Sequence, residues 1–205
     1  MNQQGFFRVA AVTPQVNVGD CNANVKIISD LAHELDCKGV ELAVFPEMSV
    51  TGYTCADLFH NFTLTEAATQ GLRSIAHATS GLHITIIVGV PLTVGSTVYN
   101  CAAVIHNGRI LAAIPKTYIP NYNEFYEKRW WASGNGVDTT SDQGIRICRN
   151  LIIETGGVKI GFDICEDLWA PVPPSTAAAL NGAQVIVNLS ASNDLIGKYA
   201  YLTSL

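Results

Sequence analysis

Charge is scarce in this chain of 205 residues: 14% of positions are Asp, Glu, Lys or Arg, and acids outnumber bases, 17 to 12, for a net charge of -5. No basic run exceeds Lys128-Arg129. Nucleic-acid binding needs clustered cations, so that class of partner is excluded. Long apolar runs are absent too. The stretch Ile84 to Val90 is strand-like in length and too short to span a bilayer. The first residues, Met1 to Gly5, have no charged start followed by an apolar run, so no secretory leader is read there and a cytoplasmic location is expected. The six cysteines (21, 37, 55, 101, 148 and 165) form no Cys-x-x-Cys pair, which argues against a disulfide framework. The histidines at 33, 60, 77, 83 and 106 do not fall near paired cysteines, so a structural zinc site is not expected.

With 48% hydrophobic residues the chain can bury a proper core. Arg8 to Thr13 reads as a buried strand, Asp20 as the N-cap of a helix carrying Val25, Ile28, Leu31, Ala32 and Leu35 on one face, and Glu41 to Phe45 as the next strand. Such a β-α-β unit favours a parallel pair. A helix from Thr65 to Thr79 and a strand from His83 to Val90 follow. Asn107-Gly108 joins two apolar runs, Asn100 to His106 and Arg109 to Ile114, as a hairpin. A second hairpin is expected between Ile145–Glu154 and Val158–Ile164. An Ala-rich helix ending near Asn181-Gly182 and a strand from Ala183 to Leu189 complete the pattern. Crossovers at both ends with hairpins between them suit a layered α/β sheet. No repeat or linker divides residues 1–205, so one domain is expected. The stop at Leu205, just after a strand and the start of a helix, reads as truncation, with an exposed apolar face at Leu195 to Leu205 as its cost.

Three chemically capable side chains fall just beyond strand ends. Glu47 follows Val44-Phe45-Pro46, Lys116 follows Ala112 to Pro115, and Cys165 follows Gly161 to Ile164. Groups beyond strand ends converge where α/β folds bind ligands. A thiol, a carboxylate that takes its proton and an ammonium that lowers the thiol pKa make a nucleophilic site. Spacing alone leaves ordinary alternatives open: Cys165 as buried filler, Glu47 as a cap, Lys116 as a solvated loop residue.

The local sequences add a resemblance. Val44 to Tyr53 (VFPEMSVTGY), Ile114 to Pro120 (IPKTYIP) and Gly161 to Trp169 (GFDICEDLW) resemble, in order, the glutamate, lysine and nucleophile motifs of the nitrilase, or carbon–nitrogen hydrolase, superfamily. Tyr122 to Trp131 (YNEFYEKRWW), Cys165 to Trp169, Asn188 to Asn193 (NLSASN) and Gly197-Lys198 resemble the amidase domain of glutamine-dependent NAD synthetases. The resemblance implies a four-layer α-β-β-α sandwich, with Glu47, Lys116 and Cys165 as the catalytic triad of a glutaminase forming a Cys thioester. It further implies glutamine binding by Tyr122, Ser192 and Lys198, with Glu124, eight positions after Lys116, as a second glutamate, and a backbone N–H from Glu166. Read blandly, Tyr122 and Phe125 are aromatic packing, Ser192 a loop hydroxyl and Lys198 a surface charge.

No cofactor is expected for the amidase step. ATP with Mg and deamido-NAD are implied only for a C-terminal synthetase domain, fed with ammonia through a tunnel. No Ser-Gly-Gly-x-x-Ser-type phosphate loop occurs here; Gly134-Asn135-Gly136 and Gly156-Gly157 read as turns. A homo-oligomer is implied as well. The alternatives are an amidase for another small amide, or a non-catalytic scaffold on the same fold.

Overall fold

A computed structural model describes residues 5–204. The chain opens with β1 (Val9–Ala11), α1 (Cys21–Cys37) and β2 (Leu42–Val44), and β1 pairs parallel with β2, as the β-α-β pattern predicts. The Asp20 carboxylate accepts the Ala23 N–H at 3.0 Å and so starts α1. A helical turn, Tyr53–His60, leads to α2 (Phe62–Ala78), which begins three residues ahead of expectation because Asn61, not a later residue, caps it by accepting the Thr63 N–H at 2.8 Å. Next come β3 (Thr85–Val94), β4 (Thr97–His106) and β5 (Arg109–Pro115), a continuous antiparallel meander. Asn107 and Gly108, with φ of 45° and 75°, make the two-residue turn whose twist matches the strands it joins. The turn between β3 and β4, at Gly95-Ser96, is one the sequence reading misses.

The second expected hairpin is only partly formed. Instead of one strand from Ile145 to Glu154, there are two: β7 (Arg146–Cys148), preceded by β6 (Asp138–Thr140), and β8 (Ile153–Thr155). β6 and β7 join the first sheet, while β8 pairs with β9 (Val158–Ile164) in the second. Arg149-Asn150 breaks the apolar run, and the chain crosses from one sheet to the other there. α3 (Pro174–Leu180), β10 (Val185–Leu189) and α4 (Lys198–Leu202) follow. The larger sheet has the order β1-β2-β3-β4-β5-β7-β6 and the smaller β10-β9-β8.

Alternation along the strands divides the core in two. On one face of the large sheet Ile86, Val88, Ala103 and Ile105 pack against Ile28 and Ala32 of α1 and Leu72 and Ile75 of α2. On the other, Leu42, Ile87, Ala102 and Val104 meet Ile160, Phe162, Val187 and Leu189 of the small sheet. Each such aliphatic side chain contributes about 1.5–3 kcal/mol on burial. α3 covers the outer face of β9, where a Cβ at Gly161 would lie 2.6 Å from the Ala178 Cβ. The result is the four-layer α-β-β-α sandwich. Among the described residues no helix is long and apolar enough to cross a membrane.

Candidate active site

Glu47 sits in the turn after β2, fully buried. The turn lies against Gly89 of β3, where a side chain would not fit. Its Oε1 accepts the Lys116 Nζ at 2.8 Å and the Asn100 Nδ2 at 2.7 Å; Oε2 accepts the Ala191 N–H at 3.0 Å. Lys116 follows β5, is 0% exposed, and donates also to both carboxylate oxygens of Glu127, at 3.0 and 2.8 Å. The Tyr53 hydroxyl donates to Glu127 Oε1 at 2.6 Å, and the Trp131 ring lies 5.8 Å from the Lys116 Nζ. Burial works against the ammonium of Lys116, but the charges of Glu47 and Glu127 outweigh it and hold its pKa above the ordinary lysine value. Burial, reinforced by Glu47, raises Glu127 despite Lys116 and Tyr53.

Cys165 follows β9 directly, with a φ of 49°, left-handed backbone that a non-glycine residue adopts only under constraint. The constraint is visible. Its N–H donates to Asn188 Oδ1 at 3.0 Å, and the Asn188 Nδ2 donates back to its carbonyl at 3.4 Å. Asp167 Oδ2 accepts the Ile164 N–H at 3.1 Å, and Asp167 Oδ1 accepts those of Thr117 at 3.1 Å and Tyr118 at 2.7 Å, tying the segment after Lys116 to that after Cys165. Burial raises the Asp167 carboxyl to about 6. The thiol of Cys165 departs from expectation: burial and then Glu47 push it up to about 12, outweighing Lys116 and Ser190. A thiol so placed acts as a nucleophile only where a base takes its proton.

The structure brings Glu47, Lys116 and Cys165 into one buried cluster. It does not bring Glu124 there. Glu124 is exposed, and the second carboxylate on Lys116 is Glu127, three residues on. The reason is mechanical: Trp130 and Trp131 are buried and anchor the helical turn Glu127–Arg129 inward, whereas Asn121 to Glu124 run over the surface. Tyr122 is about half-exposed; its hydroxyl donates to Glu166 Oε2 at 2.7 Å, and Trp169 Nε1 donates to the same oxygen at 2.7 Å. Lys198 donates to the Ser192 hydroxyl, to the Asn193 carbonyl at 2.8 Å and to Asn193 Oδ1 at 2.6 Å. A cavity of about 350 Å³, lined by Tyr53, Glu124, Phe125, Trp130, Ala191 and Ser192, adjoins the cluster through Tyr53 and Ala191, which bond Glu127 and Glu47. A larger cavity of about 570 Å³, between α3 and residues 149–152, lies apart from these groups. Among the described residues no set of three or more His, Cys, Asp or Glu is arranged to hold a metal ion.

Sequence reasoning missed Glu127, Tyr53, Asn100, Asn188 and Asp167. Tyr53, Glu127, Asp167 and Asn188 lie inside quoted motifs, and that was the available signal. Asn100 lies in none of them and meets the cluster only through folding.

Fold and site define a class of protein, the four-layer α/β sandwich with a buried carboxylate–ammonium–thiol cluster drawn from both sheets. This chain belongs to the carbon–nitrogen hydrolase family, whose sequence pattern matches residues 8–201. It is 38% identical over 202 residues to the glutamine-dependent NAD(+) synthetase of Mycobacterium tuberculosis, covering 96% of this chain and 30% of that protein. The crystal structure of a glutamine-dependent NAD(+) synthetase from Cytophaga hutchinsonii superposes with a TM-score of 0.83 at 28% identity, covering 97% of this chain and 33% of that one. An amidase of the nitrilase superfamily from Nesterenkonia shares the fold, with a TM-score of 0.76 at 20% identity over 96% of this chain and 70% of that one. The chain thus spans about a third of the length of the synthetases it resembles.

Proposed function

We propose that this chain is the glutaminase portion of a glutamine-dependent NAD synthetase. The observation that carries the proposal is Lys116, fully buried and bonded to both Glu47 and Glu127 beside the Cys165 thiol. The identity to glutamine-dependent synthetases selects glutamine as the amide.

Glutamine enters through the cavity walled by Tyr53, Phe125 and Ser192, with Tyr122 and Lys198 at its margin. Cys165 Sγ attacks the side-chain amide carbon while Glu47 takes the thiol proton. The Lys116 ammonium and the Glu166 backbone N–H hold the oxyanion. Glu47 returns its proton to the nitrogen, the C–N bond breaks, and ammonia leaves a glutamyl thioester. Water, deprotonated by Glu47, then attacks the thioester; the C–S bond breaks, the sulfur regains a proton and glutamate departs. These steps use the Glu47, Lys116 and Cys165 side chains, the Glu166 N–H and one water. In a protein the length of the relatives, ammonia passes by a tunnel to a C-terminal synthetase domain, where ATP with Mg activates deamido-NAD for amidation, within a cytoplasmic homo-oligomer.

Release of glutamate from glutamine, measured beside a Cys165→Ala variant and against a panel of other small amides, tests the reading. Release that vanishes in the variant and prefers glutamine is expected. Hydrolysis of another amide in preference to glutamine would assign a different amidase; no hydrolysis by the chain or by a longer synthetase containing it would overturn the enzyme reading.

A further inference from the structure

Asn100, on β4, has no part in the steps above, yet it touches both halves of the acid–base machinery. Its Nδ2 donates to Glu47 Oε1 at 2.7 Å, and its main-chain carbonyl accepts the Lys116 N–H at 2.8 Å. The side chain is 1% exposed, and its own Oδ1 is buried with no hydrogen-bond partner among the described residues. A buried acceptor left without a partner destabilises a fold. A leucine of nearly the same shape would fill the space without that cost, so packing does not account for an amide here.

The surroundings of Glu47 show what the amide does. Among the described residues Oε1 receives two donors, Asn100 Nδ2 and Lys116 Nζ, as many as one carboxylate oxygen has lone pairs. Oε2 receives one donor among them, the Ala191 N–H at 3.0 Å, and retains a lone pair. We infer that Asn100 is a positioning residue that saturates Glu47 Oε1, fixes the carboxylate plane and leaves Oε2 as the oxygen that exchanges the proton with Cys165. This inference rests on the glutaminase reading for the identity of the proton, but its test does not need glutamine.

The other groups facing Glu47 are Lys116 after β5, Glu127 on its helical turn, Cys165 after β9 and Tyr53. All are unchanged in an Asn100 variant, so a change in the reactivity of Cys165 reports the amide.

The experiment is the rate of iodoacetamide alkylation at Cys165 at a single pH, read by peptide mass spectrometry, for the wild-type chain, Asn100→Leu and Asn100→Asp. Alkylation needs the thiol proton to pass to Glu47, so its rate reports how that carboxylate is held. Asn100→Leu is expected to slow it by about tenfold, with an unfolding temperature equal to or above that of the wild type. Asn100→Asp replaces the donor with a group that repels Glu47 and slows it likewise; it also carries the test should the leucine variant not fold. Ile86→Val, a core truncation on the helix-facing side of β3, lowers stability and leaves the rate unchanged. In glutamate release, Asn100→Leu loses about tenfold or more in kcat with KM little changed, the pattern of lost orientation. An alkylation rate unchanged in a folded Asn100 variant would overturn the inference. Absence of glutamate release from the wild type, with alkylation slowed in the Asn100 variants, would sink the glutaminase reading and leave Asn100 as the orienting group.

Discussion

Gly89 of β3 lies directly against the Glu47 turn: a Cβ built at Gly89 would sit 2.2 Å from the Met48 N, 2.6 Å from the Pro46 O and 2.7 Å from the Glu47 C. All three are backbone atoms, so no side chain can swing away to make room. Gly89→Ala is therefore expected to push the turn outward and stretch the Glu47–Lys116 bond. We expect a loss of about 1–3 kcal/mol in thermal unfolding, typical of overpacking. Glutamate release should fall by about 100-fold or more, as expected of a misplaced base. A variant as active as the wild type would mean that the turn tolerates the shift.

Glu127 and Glu124 make opposite predictions. Glu127→Gln removes one of two carboxylates from a buried ammonium and should cut glutamate release by about 100-fold, the usual scale for a misplaced acid–base partner. Glu124→Ala acts on an exposed residue of the cavity rim; stability should stay within about 0.5 kcal/mol, with any effect confined to KM. Steady-state kinetics on the pair decide between them. A heavier loss of kcat at Glu124 would return the second-glutamate role to it.

Alkaline solution should weaken the fold through its buried thiols. Burial raises both Cys165, to about 12, and Cys101 above the ordinary value of 9.0. An unfolded chain ionises these thiols near 9 while the folded chain keeps them protonated. The folded state then binds more protons, and stability falls as pH rises from 9 towards 12. Each thiol contributes about 1.4 kcal/mol of loss per pH unit in that window. Urea midpoints measured at pH 8 and pH 10 check the slope, and Cys101→Ala should flatten it. An unchanged slope in that variant would show that Cys101 is not the titrating group.

Backbone strain at Cys165 is also measurable. Alanine at this position keeps the unfavourable φ of 49°, whereas glycine adopts it freely. Both variants lack the thiol, yet Cys165→Gly should match or exceed Cys165→Ala by up to about 1 kcal/mol, despite the larger unfolded-state entropy of glycine. Asn188→Ala, which removes both clamps on the Cys165 main chain, should reduce kcat without abolishing folding. Differential scanning calorimetry on the first pair is the check, and a clearly less stable glycine variant would refute stored strain.

Much of this was legible in the sequence because local chemistry dictates it. Asn107-Gly108 requires a hairpin wherever it falls between apolar runs, and the position of Glu47, Lys116 and Cys165 just past strand ends is a statement about a few adjacent residues each. What escaped notice depends on partners distant in sequence. Pro91 argues for an end to β3 at Val90, yet the strand runs through it to the Gly95-Ser96 turn because β4 pairs along its whole length. Ile145 to Glu154 reads as one strand because alternation does not reveal which sheet a residue joins. Glu124 and Glu127 are the same residue type, eight and eleven positions after Lys116 in one short segment. Only the burial of Trp130 and Trp131 decides which of them turns inward.

The bond from the Ala191 N–H to Glu47 Oε2 joins residues 144 positions apart, across both sheets. Contacts of such separation carry a large loop-closure entropy and make folding slow. On the proposed mechanism the nucleophile, Cys165, and its base, Glu47, come from distant parts of the chain, and neither works until the loop between them has closed. Chemical competence is in this sense a proofreading signal. On that mechanism a chain arrested partway through folding holds an inert thiol, and only the completed topology makes it reactive.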